Sequence, residues 1–373
     1  MPTRRTPVPL SQRPVPNAVL AKVRAPLCVA LGSPAEVINV LSGCRVTEAT
    51  CFQIDLHQAE RLRSELSALA PGVNVVTAAD LWDLPADFQT VLYLAPRGGE
   101  RELKIDVADQ AFHVLRPRGA FVVWSPYEGD LFFPNLLKKV FGKVKVTHAD
   151  PDSVFWSQRE GDRPRRRHEL TFQAKVRGGD SCRFVSRPGT FSYGRFDDGA
   201  RALVEVARIA PGERVVDLGC GCGTNGIFAA QRAGPDGFIA FVDSNLRALA
   251  LADANARANG VRSFATYASA TAVGPEEGTF DVVLANPPYY GAGAIAKLFI
   301  ERGKAFLKAD GRFYLVTRQP NEVAPQMVDA FGEIDALEHR GYTVLSAGTD
   351  GEYADSETDP VPPREDDETG AVE

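Results

Sequence analysis

The chain has 373 residues, 44% hydrophobic and 24% charged, a composition that suits two or three soluble globular domains. No run of about 18 uncharged apolar residues occurs, which excludes a membrane-spanning helix, and MPTRRTPVPLSQRPVPN at the start has no apolar core, which excludes a secretory signal. The formal charge of −6 is a local effect: residues 350–373 hold ten acidic side chains and one arginine, and taking away that −9 leaves the first 349 residues at +3.

Residues 1–24, with their arginines and prolines, are expected to form a flexible arm. From 25 to about 160, strand and helix patterns alternate: PLCVALGSP and FQIDLHQAERLRSEL, then TVLYLAPRGG and LRPRGAFVVW. A basic connector follows at 161–185, GDRPRRRHELTFQAKVRGG and beyond, with one strand-like stretch. Its run Arg163 to His168 reads equally as a solvated charge cluster or as a phosphate-contacting patch.

The second unit, 186–349, begins with RPGTFSYGRFDDGARALV, in which Asp197 stands where a helix cap is expected ahead of Ala200, Leu203, Val204 and Ala207. ERVVDLGCGCG then reads as a buried strand entering a glycine turn, with a helix from about Thr224. FIAFVDSN is the next strand and ends at Asp243; LRALALADANARANG is a helix stopped by Gly260. After YASATAV, FDVVLA is another strand, and Ile295, Leu298 and Phe299 are expected to form the apolar face of the helix after it. GRFYLVTRQ is a strand and EIDALEHRGYTVLSAG a closing hairpin. The acidic stretch 350–373 has too few apolar groups to fold and is expected to be disordered.

The two halves share one rhythm. Gly32 aligns with Gly219, Asp55 with Asp243, Pro96 with Pro287 and Gly119 with Gly311, at offsets of 187, 188, 191 and 192. Four segments in the same order at nearly constant spacing indicate a tandem duplication. The copies differ where chemistry would sit: Gly-Ser-Pro replaces the glycine loop in the first, and Ala95-Pro96-Arg97-Gly98 replaces Asn286-Pro287-Pro288-Tyr289. The first copy is therefore read as degenerate.

Asp217, Gly219, Gly221 and Gly223 make a D-x-G-x-G-x-G turn between a strand and a helix, a place where backbone and ligand approach closely. Asp243, at the end of the next strand, suits the two hydroxyls of a ribose, and it could also cap the following helix. A carboxylate opening the loop would repel a pyrophosphate but suits the ammonium of S-adenosyl-L-methionine. Asn286 leaves a strand at the edge where ligands bind in open α/β sheets. Its side-chain oxygen and the Pro287 carbonyl can accept the two N–H groups of an exocyclic amine, and the prolines hold both acceptors in place beforehand. Tyr289 offers a ring face to a planar base.

These residues resemble the class I S-adenosylmethionine-dependent methyltransferases that act on amino groups, and among them the ribosomal RNA guanine-N2 enzymes of the RsmC/RlmG kind. The resemblance is carried by RPGTFSYGRFDDGARALV, ANPPYYG and the worn copy of the fold in front. It implies two tandem Rossmann-like methyltransferase folds, the first degenerate, each a doubly wound, mostly parallel sheet with a closing antiparallel hairpin. It implies catalysis by the second domain, with the first aiding stability and RNA docking, and it adds Phe191, Asp197 and Ser269 to the cofactor set. This chain departs from the family at Tyr289 and Tyr290, where Phe-His is usual, and at Ala270, beside the Ser269 that would lie near adenine. The implied partner is ribosomal RNA or a ribosomal subunit, with no metal and no membrane, for a monomer in the cytoplasm. The six cysteines, at 28, 44, 51, 182, 220 and 222, include no CxxC pair and suit a reducing compartment. Other readings are methylation of protein-glutamine N5 or adenine N6, or a non-catalytic RNA-binding or assembly factor.

Overall fold

The computed structural model describes residues 8–67, 72–127, 129–149, 152–288 and 293–348. The first sheet contains β1 (Leu27–Ala30), β2 (Glu48–Gln53), β3 (Gly72–Thr77), β4 (Phe88–Leu94), β5 (Leu115–Ser125), β6 (Lys145–Ala149) and β7 (Asp152–Gln158), in the order β3-β2-β1-β4-β5-β7-β6. A two-stranded hairpin follows, β8 (Leu170–Ala174) with β9 (Cys182–Ser186). The second sheet contains β10 (Arg214–Leu218), β11 (Phe238–Asp243), β12 (Phe264–Ala268), β13 (Phe280–Ala285), β14 (Leu307–Thr317), β15 (Asp335–His339) and β16 (Tyr342–Gly348), in the order β12-β11-β10-β13-β14-β16-β15. In both sheets the first five strands pair in parallel and the last two close the edge antiparallel.

The duplication extends to irregularities. The register of β4 on β5 slips between Phe88 and Thr90, and that of β13 on β14 slips between Phe280 and Val282, at the same 192-residue offset. The central strands are mostly apolar and buried because helices cover both faces, as a parallel sheet requires. Val215, Val216, Leu218, Val282, Val283 and Leu284 are all fully buried.

Three expectations change. Residues 8–24 do not hang free: Leu10 and Val19 enter the first core, and Asn39 donates to the carbonyls of Leu10 and Arg13. Arg13 pairs with the buried Asp152, which also accepts the Trp124 indole N–H. The apolar residues between the prolines supply the anchor. The connector likewise joins the second core from Phe172 onward, where Phe172 stacks on Phe184 and Phe184 packs against Phe228. Within its basic run, Arg163 and His168 both bind the buried Asp109 carboxylate, at 2.9 and 2.6 Å, and Arg165 lies over Trp82. Third, the helix Ala294–Phe306 buries Ala296, Ile300, Gly303 and Phe306, with Ile295, Leu298 and Phe299 only half covered. The acidic stretch 350–373 lies outside the described residues.

The halves meet along equivalent loops. The Leu56 N–H donates to the Ser244 carbonyl, and the Leu246 N–H donates to the Ile54 carbonyl. The Ser244 hydroxyl donates to Asp55 Oδ2 at 2.6 Å. Beside this reciprocal pairing, Asp80 of the first domain receives both Arg187 nitrogens and one from Arg247, while Arg247 also reaches Asp106 and the carbonyls of Ala79 and Pro188. Arg247 is 1% exposed. Burial alone would raise the Asp80 carboxyl, but the hydrogen bonds and charges of the two guanidinium groups hold it below its ordinary value.

Replacing Asp80 strands the buried Arg187 guanidinium and leaves Arg247 with the Asp106 carboxylate alone. Removing one partner of such a buried pair typically costs roughly 3–5 kcal/mol. Asp80→Ala should therefore lower the urea midpoint of the whole chain, and an unchanged midpoint would show that the network contributes nothing to folding.

Candidate functional site

Strand register places the candidate residues on one edge. Leu218 pairs with both Val242 and Ala285, and Asp243 pairs with Ala268. The glycine turn after β10, Asp243 at the end of β11, Ser269 just after β12 and Asn286 just after β13 therefore lie side by side at the carboxyl ends of neighbouring strands. That is where an open α/β sheet binds ligands.

The three glycines adopt positive φ, at 69°, 54° and 89° for Gly219, Gly221 and Gly223, but they answer to different constraints. A Cβ at Gly223 would stand 3.1 Å from Ala252 Cα, so this glycine lets two helices approach. A Cβ at Gly219 would meet the Phe299 ring at 3.0 Å. At Gly221 a Cβ would meet nothing within 4 Å, so its backbone borders open space. Cys220 and Cys222 are buried free thiols, with Cys222 pushed up to about 12 mainly by burial. They fill space.

Asp217 is 1% exposed and sits beneath the turn, where Oδ2 accepts the Gly226 N–H at 2.8 Å. It holds the turn to the helix Thr224–Ala233. Burial raises its carboxyl to about 7 against the pull of that N–H, and Asp243 adds to the rise. Asp243 accepts the N–H of Gly221 at 2.9 Å through one oxygen and that of Asn245 at 2.8 Å through the other. Its own carboxyl is raised to about 6, by enclosure first and then by Asp55, against those two N–H groups. The cap role that Asp243 could have filled belongs to Asn245, whose Oδ1 accepts from Arg247 and Ala248.

Asn286 and Pro287 follow the last residue of β13, with Asn286 half-exposed and Pro287 buried. The Asn286 amide nitrogen donates to Asp197 Oδ1 at 3.2 Å. The same Asp197 oxygen accepts the Ala200 N–H at 2.9 Å and caps the helix Asp198–Val206. One carboxylate thus fixes a helix and the orientation of an amide. Phe191 is 60% exposed, on a loop held by Gly189, whose N–H donates to Glu100 and whose carbonyl accepts from Asn245. Ser192, next in that loop, holds φ at 55°, a conformation that L side chains rarely adopt. Ser269 Oγ accepts the N–H groups of Thr271 and Val273, folding the loop beyond β12. Tyr289 lies outside the described residues.

Several contributors had no signature in the sequence. Asn255, inside a helix, donates to the carbonyls of Cys222 and Val185 and accepts the Val185 N–H, tying the glycine turn to β9. Glu100 reaches the Phe191 loop from the other domain. Asn245 alone could have been found, from its position just before an apolar helical repeat.

The site has room and unused polar atoms for a nucleoside-bearing cofactor. Gly221 faces open space, and among the described residues Asn225 Oδ1 and Ser192 Oγ are buried without a hydrogen-bond partner. Buried polar groups are normally satisfied, so such orphans are places where a ligand or water belongs. Among the described residues, no group of three or more His, Cys, Asp or Glu side chains could hold a metal ion.

Comparison with known proteins agrees with this geometry. Residues 181–346 match the family model of the methyltransferase small domain. A ribosomal RNA small subunit methyltransferase C of Chromohalobacter salexigens is 34% identical over 171 residues, covering 43% of this chain and 50% of that protein. A ribosomal RNA large subunit methyltransferase G of Streptomyces coelicolor is 35% identical, covering 44% and 45%. The chain thus spans about half the length of the curated relatives it matches. Among solved structures, the T. thermophilus 16S rRNA N2 G1207 methyltransferase RsmC, in complex with AdoMet and guanosine, superposes with a TM-score of 0.71 at 22% identity. That match covers 90% of this chain and 92% of the other, so the likeness of fold includes both domains.

The raised carboxyls give a pH prediction. Between about pH 4 and 7 the folded state keeps a proton on Asp217 that the unfolded chain has lost, so stability of the unliganded protein falls as pH rises through that window. Asp217→Asn keeps an acceptor for Gly226 and should shrink the drop in thermal midpoint between pH 5 and pH 8. Equal drops in variant and wild type would exclude Asp217 as its source.

Proposed function

We propose that this chain, of the RsmC/RlmG type by its tandem fold and its methyltransferase small domain, transfers a methyl group to the exocyclic N2 of a guanine in ribosomal RNA. The observation that carries the reading is the hydrogen bond from the Asn286 amide to Asp197. With its NH2 committed there, the amide leaves its oxygen as the group available to a substrate.

Asp243, the Gly221 backbone and the orphaned atoms of Asn225 and Ser192 would hold S-adenosyl-L-methionine, with Phe191 closing over it. Bound there, the cofactor supplies an electrophilic methyl on a good leaving group. The chain's own residues must prepare the nucleophile. An exocyclic amine conjugated to a base has a delocalised lone pair. Two acceptors on its two N–H groups draw it towards tetrahedral geometry and free that pair. Asn286 Oδ1 and the Pro287 carbonyl are proposed as those acceptors, with Tyr289 stacking on the base. Pro287 and Pro288 restrict the loop, so the acceptors need no reorganisation as charge develops.

Ribosomal RNA, rather than free nucleoside or protein, is favoured by the names of the relatives and by the likeness of fold across both domains. A glutamine or adenine acceptor would use the same Asn286 geometry, and nothing in the first domain favours either. The deciding measurement is nucleoside mass spectrometry of ribosomal RNA from cells with and without the protein. Loss of N2-methylguanosine is expected, whereas an unchanged content would defeat the reading.

Asn286→Ala should cut turnover by about 100- to 1,000-fold while leaving S-adenosylhomocysteine affinity intact by calorimetry, the loss typical of a preorganised polar contact. Asp197→Ala should cut turnover too, and should also destabilise the chain by about 1 kcal/mol through loss of the helix cap. An Asp197→Ala variant with normal turnover would show that Asn286 needs no orienting partner.

A further inference from the structure

The first domain keeps an opening where its lost chemistry would have been. A cavity of about 510 Å³ lies at the carboxyl end of β4, bordered by Ala95 and Pro96, the counterparts of Asn286 and Pro287. With alanine in place of asparagine, it has no amide acceptor and can perform no transfer. Yet it has not filled in. Its wall includes Arg101 and Lys104 on one turn of a helix, with Tyr127, Leu131 and Phe132 opposite.

Two of those three side chains are open to solvent, and Phe132 is partly covered. Leu131 is 77% exposed and Tyr127 41%. Each ring has a cation beside it: the Arg97 guanidinium lies 5.3 Å from the Tyr127 ring centre, and that of Arg101 lies 5.4 Å from Phe132. Among the described lining residues the acidic side chain is Asp130, which is occupied locally, accepting from the Ser125 hydroxyl and from the N–H groups of Phe132 and Phe133, while Arg101 also lies 3.8 Å from the neighbouring Glu102. An exposed tyrosine and a partly covered phenylalanine, interleaved with guanidinium and ammonium groups, form a surface suited to stacking bases and neutralising phosphates. It suits neither an apolar helix, which the cations would repel, nor a small anion, which has no use for the rings.

The cavity is also joined to the catalytic edge. Leu103, between Arg101 and Lys104, is among the atoms that a Cβ on Gly189 would meet, at 3.1 Å, and Glu100 receives the Gly189 N–H. Gly189 stands two residues before Phe191. One helical turn therefore forms the wall of the cavity on one side and supports the Phe191 loop on the other.

We propose that this vestigial mouth is a binding site for a single-stranded nucleotide of the substrate RNA, with Arg101 and Lys104 on its phosphates and Tyr127 and Leu131 against its base. The proposal rests on the reading that the substrate is ribosomal RNA. It assigns the inactive copy a task in substrate capture: the RNA is gripped at one mouth and modified at the other.

The test is filter binding of radiolabelled, protein-free ribosomal RNA to the full chain across a salt titration. The double variant R101E/K104E should bind at least about tenfold more weakly, with the log–log salt slope shallower by roughly 1.4, two single-strand phosphate contacts. Tyr127→Ala should weaken binding by about 5- to 100-fold with the slope unchanged. Both should retain wild-type thermal midpoints and S-adenosylhomocysteine affinity; should Tyr127→Ala lower the midpoint, Leu131→Ser at the outer rim reads the same contact. Variants that bind RNA like wild type, in an enzyme that still methylates it, overturn the capture site and leave the activity standing. A wild-type chain with no affinity for ribosomal RNA overturns both.

Discussion

The loop that presents Phe191 to the candidate site depends on one carboxylate. Asp80 is buried between two arginines of the opposite domain, Arg187 and Arg247, and their positions determine where the loop 188–192 can run. Each guanidinium is expensive to bury alone. Together with Asp80 and Asp106 they become a fixed brace whose geometry tolerates little sliding. The Pro188 carbonyl, the Gly189 N–H and the Gly189 carbonyl are each tied, to Arg247, Glu100 and Asn245. The loop that presents Phe191 is thus held from both sides of the domain boundary. The first domain has no glycine turn of its own, but through Asp80 and Glu100 it helps to hold the Phe191 loop of the second.

Within the second domain the same economy recurs. Asp197 serves a helix start and an amide, Asp243 serves a turn and the start of a helix, and Asn255 serves a strand and the glycine turn. A site built from shared polar contacts is rigid before any ligand arrives. Such preorganisation is what a reaction lacking metal or nucleophilic assistance from the protein would require.

The strand–helix alternation, the closing hairpin, the duplication and the strand ends that carry the candidate residues were legible because they depend on short-range patterns: apolar runs, glycines at turns and residues at strand ends. The Asp197 cap was visible for the same reason. The brace was not. Arg187 and Arg247 look like surface arginines, and the carboxylate each one binds lies more than a hundred residues away in the chain, so no local pattern marks them as buried. The stretch before residue 25 misled for a related reason: its prolines suggest an unfolded arm, whereas Leu10 and Val19 find cover only once the first core exists. Asp243 was correctly placed on the rim, but capping of the next helix fell to Asn245, because both Asp243 oxygens are taken by the turn and the backbone beside it.

The reciprocal pairing of Ile54–Leu56 with Ser244–Leu246 has an evolutionary corollary. Asp55, which aligns with Asp243, gives one carboxylate oxygen to the Ser244 hydroxyl and the other to the Gln58 N–H. Glycines introduced at 34 and 36, opposite Gly221 and Gly223, would not by themselves recreate that turn's surroundings, because the carboxylate that would face it is now part of the seam between the modules. The first copy's divergence is thus hard to undo, since freeing the Asp55 carboxylate would break a contact that joins the two domains.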